Sequence, residues 1–566
     1  MNLPPSRRQL GLYARTLSHL PPQQVAHRIR LRTLRAVLAL RPEWLRRRWA
    51  STPSEGGWPA AFQPLDRALA QTSATVDEFD AGRFEFLGLA LDLGNPIDWT
   101  PRDAPQLWRY HLHYWEWAWS LVEHPDRSAA QAQFARLWAS WQRGTTFGRW
   151  DEWSPFVVSL RTWVLCGVFG PLASGTPLAP SLLADIALHR EFVAHNLELD
   201  VGGNHLVKNL KALIGGAVFM HDRPKIDEGR RRLASQLTVQ VLDDGGHYER
   251  SPSYHAQVLG DLVDVAHLLA AAGEPPVRGL DDAIASMRRW LSAILMPDGE
   301  VPVMNDAEYV GSRRLAALGV AASPSEGLTL LTDSGYAVLR RDRIHLLVDV
   351  GPPCPPELPA HAQADCLSFE LAVDGVRLIV DPGTSTYAPG PRRAWERSTA
   401  AHNTVAIDGE DQTEVWGAFR AARLATPLLD ESGVDAKTVA VQASHDGYER
   451  LAGRPRHRRT WRLTTDRLVI DDEITGTGRH QLIGRLQFAP EVPVILENRT
   501  VSAGSASITF EAPGAEIRLL PPDAEPGGVA TGFGHPRPAA AVQVAMNVDL
   551  PVRWSTTIDV AADRSN

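Results

Sequence analysis

The chain has 566 residues, 44% of them hydrophobic, which is more than one ordinary core accommodates and points to two or three packed domains. A formal charge of −8 and a pI near 6.2 exclude a global basic field of the kind that gathers nucleic acid, so an acidic ligand has to be met by a local basic site. Cys166, Cys354 and Cys366 are too few for a disulfide framework, lack metal-finger spacing, and read as small buried hydrophobes.

In chain order, the first segment is basic. Between Met1 and Pro42 there is no Asp or Glu, whereas Arg7, Arg8, Arg15, Arg28, Arg30, Arg32, Arg35 and Arg41 all fall there. Such a stretch is a solvated amphipathic helical arm, a helix that contacts a membrane surface or polyanion, or a transit-like peptide. It lacks the apolar region of a secretory signal, and nowhere in the chain is there an uncharged apolar run of about 18 residues, so no transmembrane helix is expected. From about Leu107 to Leu331, apolar residues recur at helical spacing, as in LVKNLKALIGGAVFM and VLGDLVDVAHLLAAAG, with short Gly/Pro connectors between runs. After about Thr332 the pattern changes to short β-branched runs separated by Asp-Gly and Asp-Arg turns, the signature of antiparallel hairpins. Segregated helices and strands imply separate domains, expected at 1–60 (basic helical arm), 61–331 (helical) and 332–566 (β), with a cleft between the two large ones. Eighteen tryptophans exceed what is usual at this length; most should be core, but the surplus favours carbohydrate as a ligand.

Four segments concentrate polar chemistry. Gly202-Gly203-Asn204-His205 opens a helical run, where Asn204 is either an N-cap or an amide donor to a carboxyl group. Asp243-Asp244-Gly245-Gly246 ends a helix, and Tyr254 starts the next one. A tyrosine acts as a base near neutrality only if neighbours such as His205, Arg250 or His255 lower its pKa; otherwise it is a half-buried ring. In His361-Ala362-Gln363-Ala364-Asp365, alternate polar positions of an extended chain share one face and bring His361 and Gln363 to one site, before a strand beginning near Leu367. Asp381-Pro382-Gly383-Thr384-Ser385-Thr386-Tyr387 and Arg397 to Thr404 form either a polar rim or a loop network.

Together these segments resemble the heparinase II/III family. HAQADCLSFELAVDGVRLIVDPGTSTY and RSTAAHNTVAIDGEDQTEVWGAFR look like its β-domain signature, and GGNHLVKNLKAL with DGGHYERSPSYHAQVLGDLVD like its helical one; FEFLGLALDLGNPIDW and LWRYHLHYWEWA extend the likeness over nearly the whole chain. The resemblance implies an incomplete (α/α) toroid followed by an antiparallel β-sandwich, a cell-envelope setting, and cleavage of uronic-acid polysaccharides by β-elimination. In that reaction a carboxylate is neutralised, the C5 proton removed and the C4 oxygen expelled. On the family pattern Asn204 binds the carboxyl group, and His361 and Tyr254 form the proton-transfer pair, with Tyr254 the donor to the leaving oxygen. His205, Lys208, Arg250 and Arg397 are the basic residues expected to meet substrate charge. No cofactor is needed for the chemistry, but some members hold a structural metal, and the matching positions here are Gln363, Asp381 and His402. The glutamine oxygen favours calcium over zinc. Lys208 stands where members acting on sulfated glycosaminoglycan can carry Glu, which points away from heparan. Two other readings are a non-catalytic protein that binds or assembles an acidic exopolysaccharide, and a glycoside hydrolase using two carboxylates among Asp243, Asp244, Glu249 and Asp306.

Overall fold

The structure, a computed structural model, describes residues 7–69, 76–323 and 325–561. It divides into two compact units, Pro21–Gln240 with Gln257–Ala285, and Met1–Leu20 with Val241–Ala256 and Ser286–Asn566.

The first unit is helical, an incomplete (α/α) toroid. Its helix Pro155–Leu172 starts with proline in the first turn, where a missing N–H costs nothing, and buries residues all around its circumference. By length and composition this helix could cross a membrane, but 83% of it is buried inside the protein. Close approach to its neighbours depends on small residues. A Cβ on Gly167 would lie 2.2 Å from the Trp119 ring, and one on Gly215, in the Gly203–Phe219 helix, would lie 2.7 Å from Trp163. Trp99, Trp115, Trp117, Trp138, Trp141 and Trp153 stack and tilt against one another in this core. The surplus of indole is therefore mostly packing, and only Trp44 and Trp150 are among the large apolar side chains left exposed.

The second unit is mainly β. Gly327–Leu331, Tyr336–Arg341, Ile344–Asp349, Phe369–Val373 and Val376–Ile379 form an antiparallel meander. Its tight turns fall at the Asp-Arg and Asp-Gly pairs, where Asp342, Asp374 and Gly375 take the left-handed conformation such turns require. An eight-stranded sheet runs in the order Pro427–Val434, Val439–His445, Arg456–Leu463, Arg467–Thr475, Val552–Val560, Ala506–Glu511, Thr500–Ala503 and Val494–Glu497. A four-stranded sheet is built from Glu516–Leu520, Ala541–Asp549, Arg479–Gln487 and Val405–Ile407. Side chains of all three sheets, among them Leu339, Phe369, Trp461, Ile558, Leu482 and Val542, share one apolar core. Alternation is clear in Arg456–Leu463, whose His457, Arg459, Trp461 and Leu463 point inward.

Two features depart from the sequence reading. A hairpin, Arg83–Phe86 with Leu89–Asp92, interrupts the helical region and turns at Leu87-Gly88, both with positive φ. The basic N-terminal stretch is not a free arm. Helix α1 (Arg7–Ser18) packs in the β unit, with Arg15 on Glu414 at 2.9 Å and Tyr13 edge-on to Trp416 at 4.7 Å. Helices α2 (Pro22–Leu40) and α3 (Pro42–Trp49) belong to the helical unit through Leu31, Leu38, Leu45 and Trp49.

The Pro155–Leu172 helix offers a controlled test of its packing. Gly167→Ala should cost about 1–3 kcal/mol in urea unfolding by overpacking Trp119, whereas Gly170→Ala, where no atom lies within 4 Å, should be neutral or stabilising by up to about 1 kcal/mol.

Candidate active site

The polar centre of the β unit forms around one buried carboxylate. Asp306 receives both terminal nitrogens of Arg393 at 2.6 Å each, the Gln363 amide at 2.9 Å and the Thr384 hydroxyl at 3.1 Å on Oδ1, and the His361 ring nitrogen Nδ1 lies 3.2 Å from its Oδ2. Burial opposes its charge, but Arg393 and His361 outweigh burial and hold the carboxyl below the ordinary range. His361 and Gln363 thus reach one acceptor, as their alternate spacing suggests. The other ring nitrogen of His361, Nε2, lies 3.2 Å from Glu249. A carboxylate at each nitrogen holds the ring from both sides.

Tyr254, in the first turn of the Pro252–Ala271 helix, lies flat over His361, with ring centroids 3.8 Å apart and planes at 27°. Its hydroxyl is 2.8 Å from that of Tyr387, whose ring packs edge-on against Phe419 and Phe533 and lies 5.0 Å from the Arg393 guanidinium. Burial comes first, and then the carboxylates of Asp306, Glu308 and Glu249, in raising the Tyr254 hydroxyl above the usual phenol range, against the Tyr387 hydrogen bond. The depressed pKa considered from sequence is thus not what the site produces. The cations invoked for it are committed elsewhere: Arg250 donates to the carbonyls of Ser334 and Asp333, while His255 contacts the Met287 carbonyl, stacks on Trp290 and is pushed down to about 3 by burial. Arg397 is buried and donates to the carbonyls of Pro359, Ala362 and Gly417, so it fixes the backbone on both sides of His361 instead of meeting substrate charge.

In the helical unit Gly202, with φ +77°, is the N-cap of the Gly203–Phe219 helix, so Asn204 and His205 lie in its first turn. Asn209 donates to Glu198 Oε2 at 3.0 Å, and Glu198 lies 3.1 Å from His205 Nδ1, whose ring packs on Phe156. Lys208, expected to meet a sugar carboxylate, is buried with its ammonium 2.7 Å from Asp261, which also takes Lys211. Both lysines line a small cavity with Asp66, Glu116, Ser159 and Trp163.

Residues 63–318 match the heparinase II/III N-terminus, and residues 323–560 the heparinase II/III-like C-terminal domain. The chain belongs to the heparinase II/III family. FtsZ-localized protein C of Caulobacter vibrioides is 30% identical over 414 residues, covering 70% of this chain and 69% of that protein. A heparin-sulfate lyase of Bacteroides stercoris is 23% identical over 390 residues, 57% of this chain and 58% of the lyase, under two thirds of its length. The crystal structure of heparinase III shares the fold, with a TM-score of 0.72 at 18% identity over 92% of this chain and 88% of that one.

The positions where heparinase II/III members can hold a metal are buried here, and Gln363 Oε1 and His402 Nε2 have no hydrogen-bond partner among the described residues. His402 Nδ1 lies 2.8 Å from Asp381; burial lowers the imidazole pKa, and this carboxylate outweighs it and raises the value. The Gln363 amide nitrogen donates to Asp306, Thr384 and the Asn305 carbonyl. Among the described residues no three His, Cys, Asp or Glu side chains are grouped to hold an ion.

Asp306 gives a test with a definite sign. Asp306→Asn leaves the buried Arg393 without its counter-charge, and should lower unfolding free energy at neutral pH by about 3–5 kcal/mol. Because the folded carboxyl is depressed, its contribution is present above the unfolded pKa of about 3.9 and is lost as pH falls through the folded value. The difference between wild type and variant in denaturant titrations should therefore narrow in acid.

Proposed function

We propose that the protein is a polysaccharide lyase that cleaves a uronic-acid-containing acidic polysaccharide by β-elimination. The observation that carries this reading is the Tyr254 hydroxyl, paired with Tyr387 at 2.8 Å and set over a histidine clamped by two carboxylates. In the reaction the C5–H bond breaks, its electron pair forms the C4–C5 double bond, and the C4–O bond breaks with the pair leaving on oxygen. Tyr254, kept protonated by its surroundings, gives its proton to that oxygen, and the Tyr387 hydroxyl donates to the phenolate that remains. His361 acts in its neutral form, with its proton on Nδ1 toward Asp306, and takes the C5 proton on Nε2 as the substrate displaces Glu249 from that atom; Asp306, fixed by Arg393, orients the ring and stabilises the imidazolium so formed, as a buried aspartate does in hydrolytic triads. Asn204, in the first turn of a helix, is suited to a carboxylate through its amide and the positive helix end.

Its relationship to FtsZ-localized protein C supports a second reading, a localisation or assembly protein that binds an acidic polysaccharide without turning it over. A hydrolase is less well supported. Glu249 and Asp306 are engaged with His361, and Asp244 accepts from the Ser334 backbone and hydroxyl.

Incubation with a panel of uronate polysaccharides should produce the ultraviolet absorbance of a 4,5-unsaturated uronate, which hydrolysis and mere binding do not. On the substrate so found, Tyr254→Phe should slow turnover by about two to four orders of magnitude with little change in melting temperature. Wild-type turnover in that variant would sink the mechanism, and binding without any absorbance would favour the assembly reading.

A further inference from the structure

Helix α2 has two contrasting faces. Gln24, Leu31 and Leu38, seven residues apart, are buried in the helical unit. On the opposite side Val25, Ile29, Ala36 and Leu40 follow at i, i+4, i+11 and i+15 and form one stripe. Ile29 is 61% exposed and Leu40 81%, and Trp44 at the start of α3 is 53% exposed. Scattered exposed apolar residues are ordinary, but an aligned stripe on a helix already packed by its other face is not explained by folding. Exposed Arg32 and Arg35 border the stripe on one side and Arg30 on the other, α2 contains no acidic residue, and α3 adds Arg46, Arg47 and Arg48.

We propose that this outward face of α2, with Trp44, binds the surface of an anionic phospholipid bilayer, its apolar stripe entering the headgroup boundary and its flanking arginines reaching lipid phosphates. The pattern is that of an interfacial helix: apolar and aromatic side chains at the centre, arginines whose stems lie along the apolar surface and whose guanidinium groups reach outward. Charge complementarity selects the occupant. A second copy docked face to face would set rows of arginine against each other, and a nucleic acid or acidic glycan would leave the exposed Ile29, Ala36 and Leu40 without an apolar partner. This inference is independent of the lyase reading.

The test is sedimentation of the full chain with vesicles of phosphatidylcholine alone or mixed with phosphatidylglycerol. The protein should pellet with the mixed vesicles and not with phosphatidylcholine alone, and added salt should weaken binding. The double variant Ile29→Glu/Leu40→Glu should bind about tenfold or more weakly with unchanged melting temperature and circular dichroism, since both side chains face outward. Arg32→Gln/Arg35→Gln should reduce the preference for the anionic lipid. Absence of the wild type from the mixed-vesicle pellet, or equal binding by the glutamate variant, would overturn the proposal. So would a glutamate variant that changes oligomeric state in light scattering while its vesicle binding is untouched, since the face would then cover a second copy.

Discussion

A buried carboxylate has to be surrounded by donors, and Asp306 draws its donors from three separate stretches of the β unit. The loop carrying His361 and Gln363, the turn carrying Thr384 and the short helix Pro391–Glu396 carrying Arg393 all end on its two oxygens. Each of these contacts is long-range in sequence, so none survives local unfolding alone. Arg397, one turn on from Arg393, closes the arrangement by donating to the backbone around His361. The orientation of the candidate catalytic ring follows from this polar network more than from apolar packing.

The helical unit meets the same problem in the opposite way. Its buried lysines and aspartates, Lys208, Lys211, Asp261 and Asp264, neutralise one another within 3.0 Å, and the surrounding core is made of indole and aliphatic side chains. Buried ion pairs of this kind contribute little net stability but are costly to break on one side, so they fix which charges are available to a ligand. Lys208 carries a charge and yet offers none, which is why its identity alone is a poor guide to substrate.

The switch from helical spacing to alternation, the Asp-Gly and Asp-Arg turns, and the shared direction of His361 and Gln363 were legible because each is a local pattern. The early hairpin was missed because four-residue strands give too short an alternation to stand out from helical spacing. Asp306 and Glu249 were visible only as candidate hydrolase carboxylates and Tyr387 only as a member of a polar segment, and Arg393 carried no signal at all. Asp306 and Arg393 are 87 positions apart, and a polar contact over that span leaves no periodicity. The basic N-terminus read correctly as helical, but composition alone could not divide it between the two units at Leu20 and Pro21. The tryptophan surplus pointed toward sugars, whereas the structure places most of it in a core where glycines let the rings approach.

That core also determines what an optical experiment on the protein would see. Thirteen of the eighteen tryptophans lie in the helical unit and five in the β unit. Intrinsic emission is therefore dominated by one of the two cores, whereas the β-sheet signal in the far ultraviolet comes almost wholly from the other. If the units melt separately, the two probes would report different midpoints, and a single transition followed by fluorescence alone would describe the helical unit while leaving the β unit that holds His361 and Tyr387 nearly unobserved.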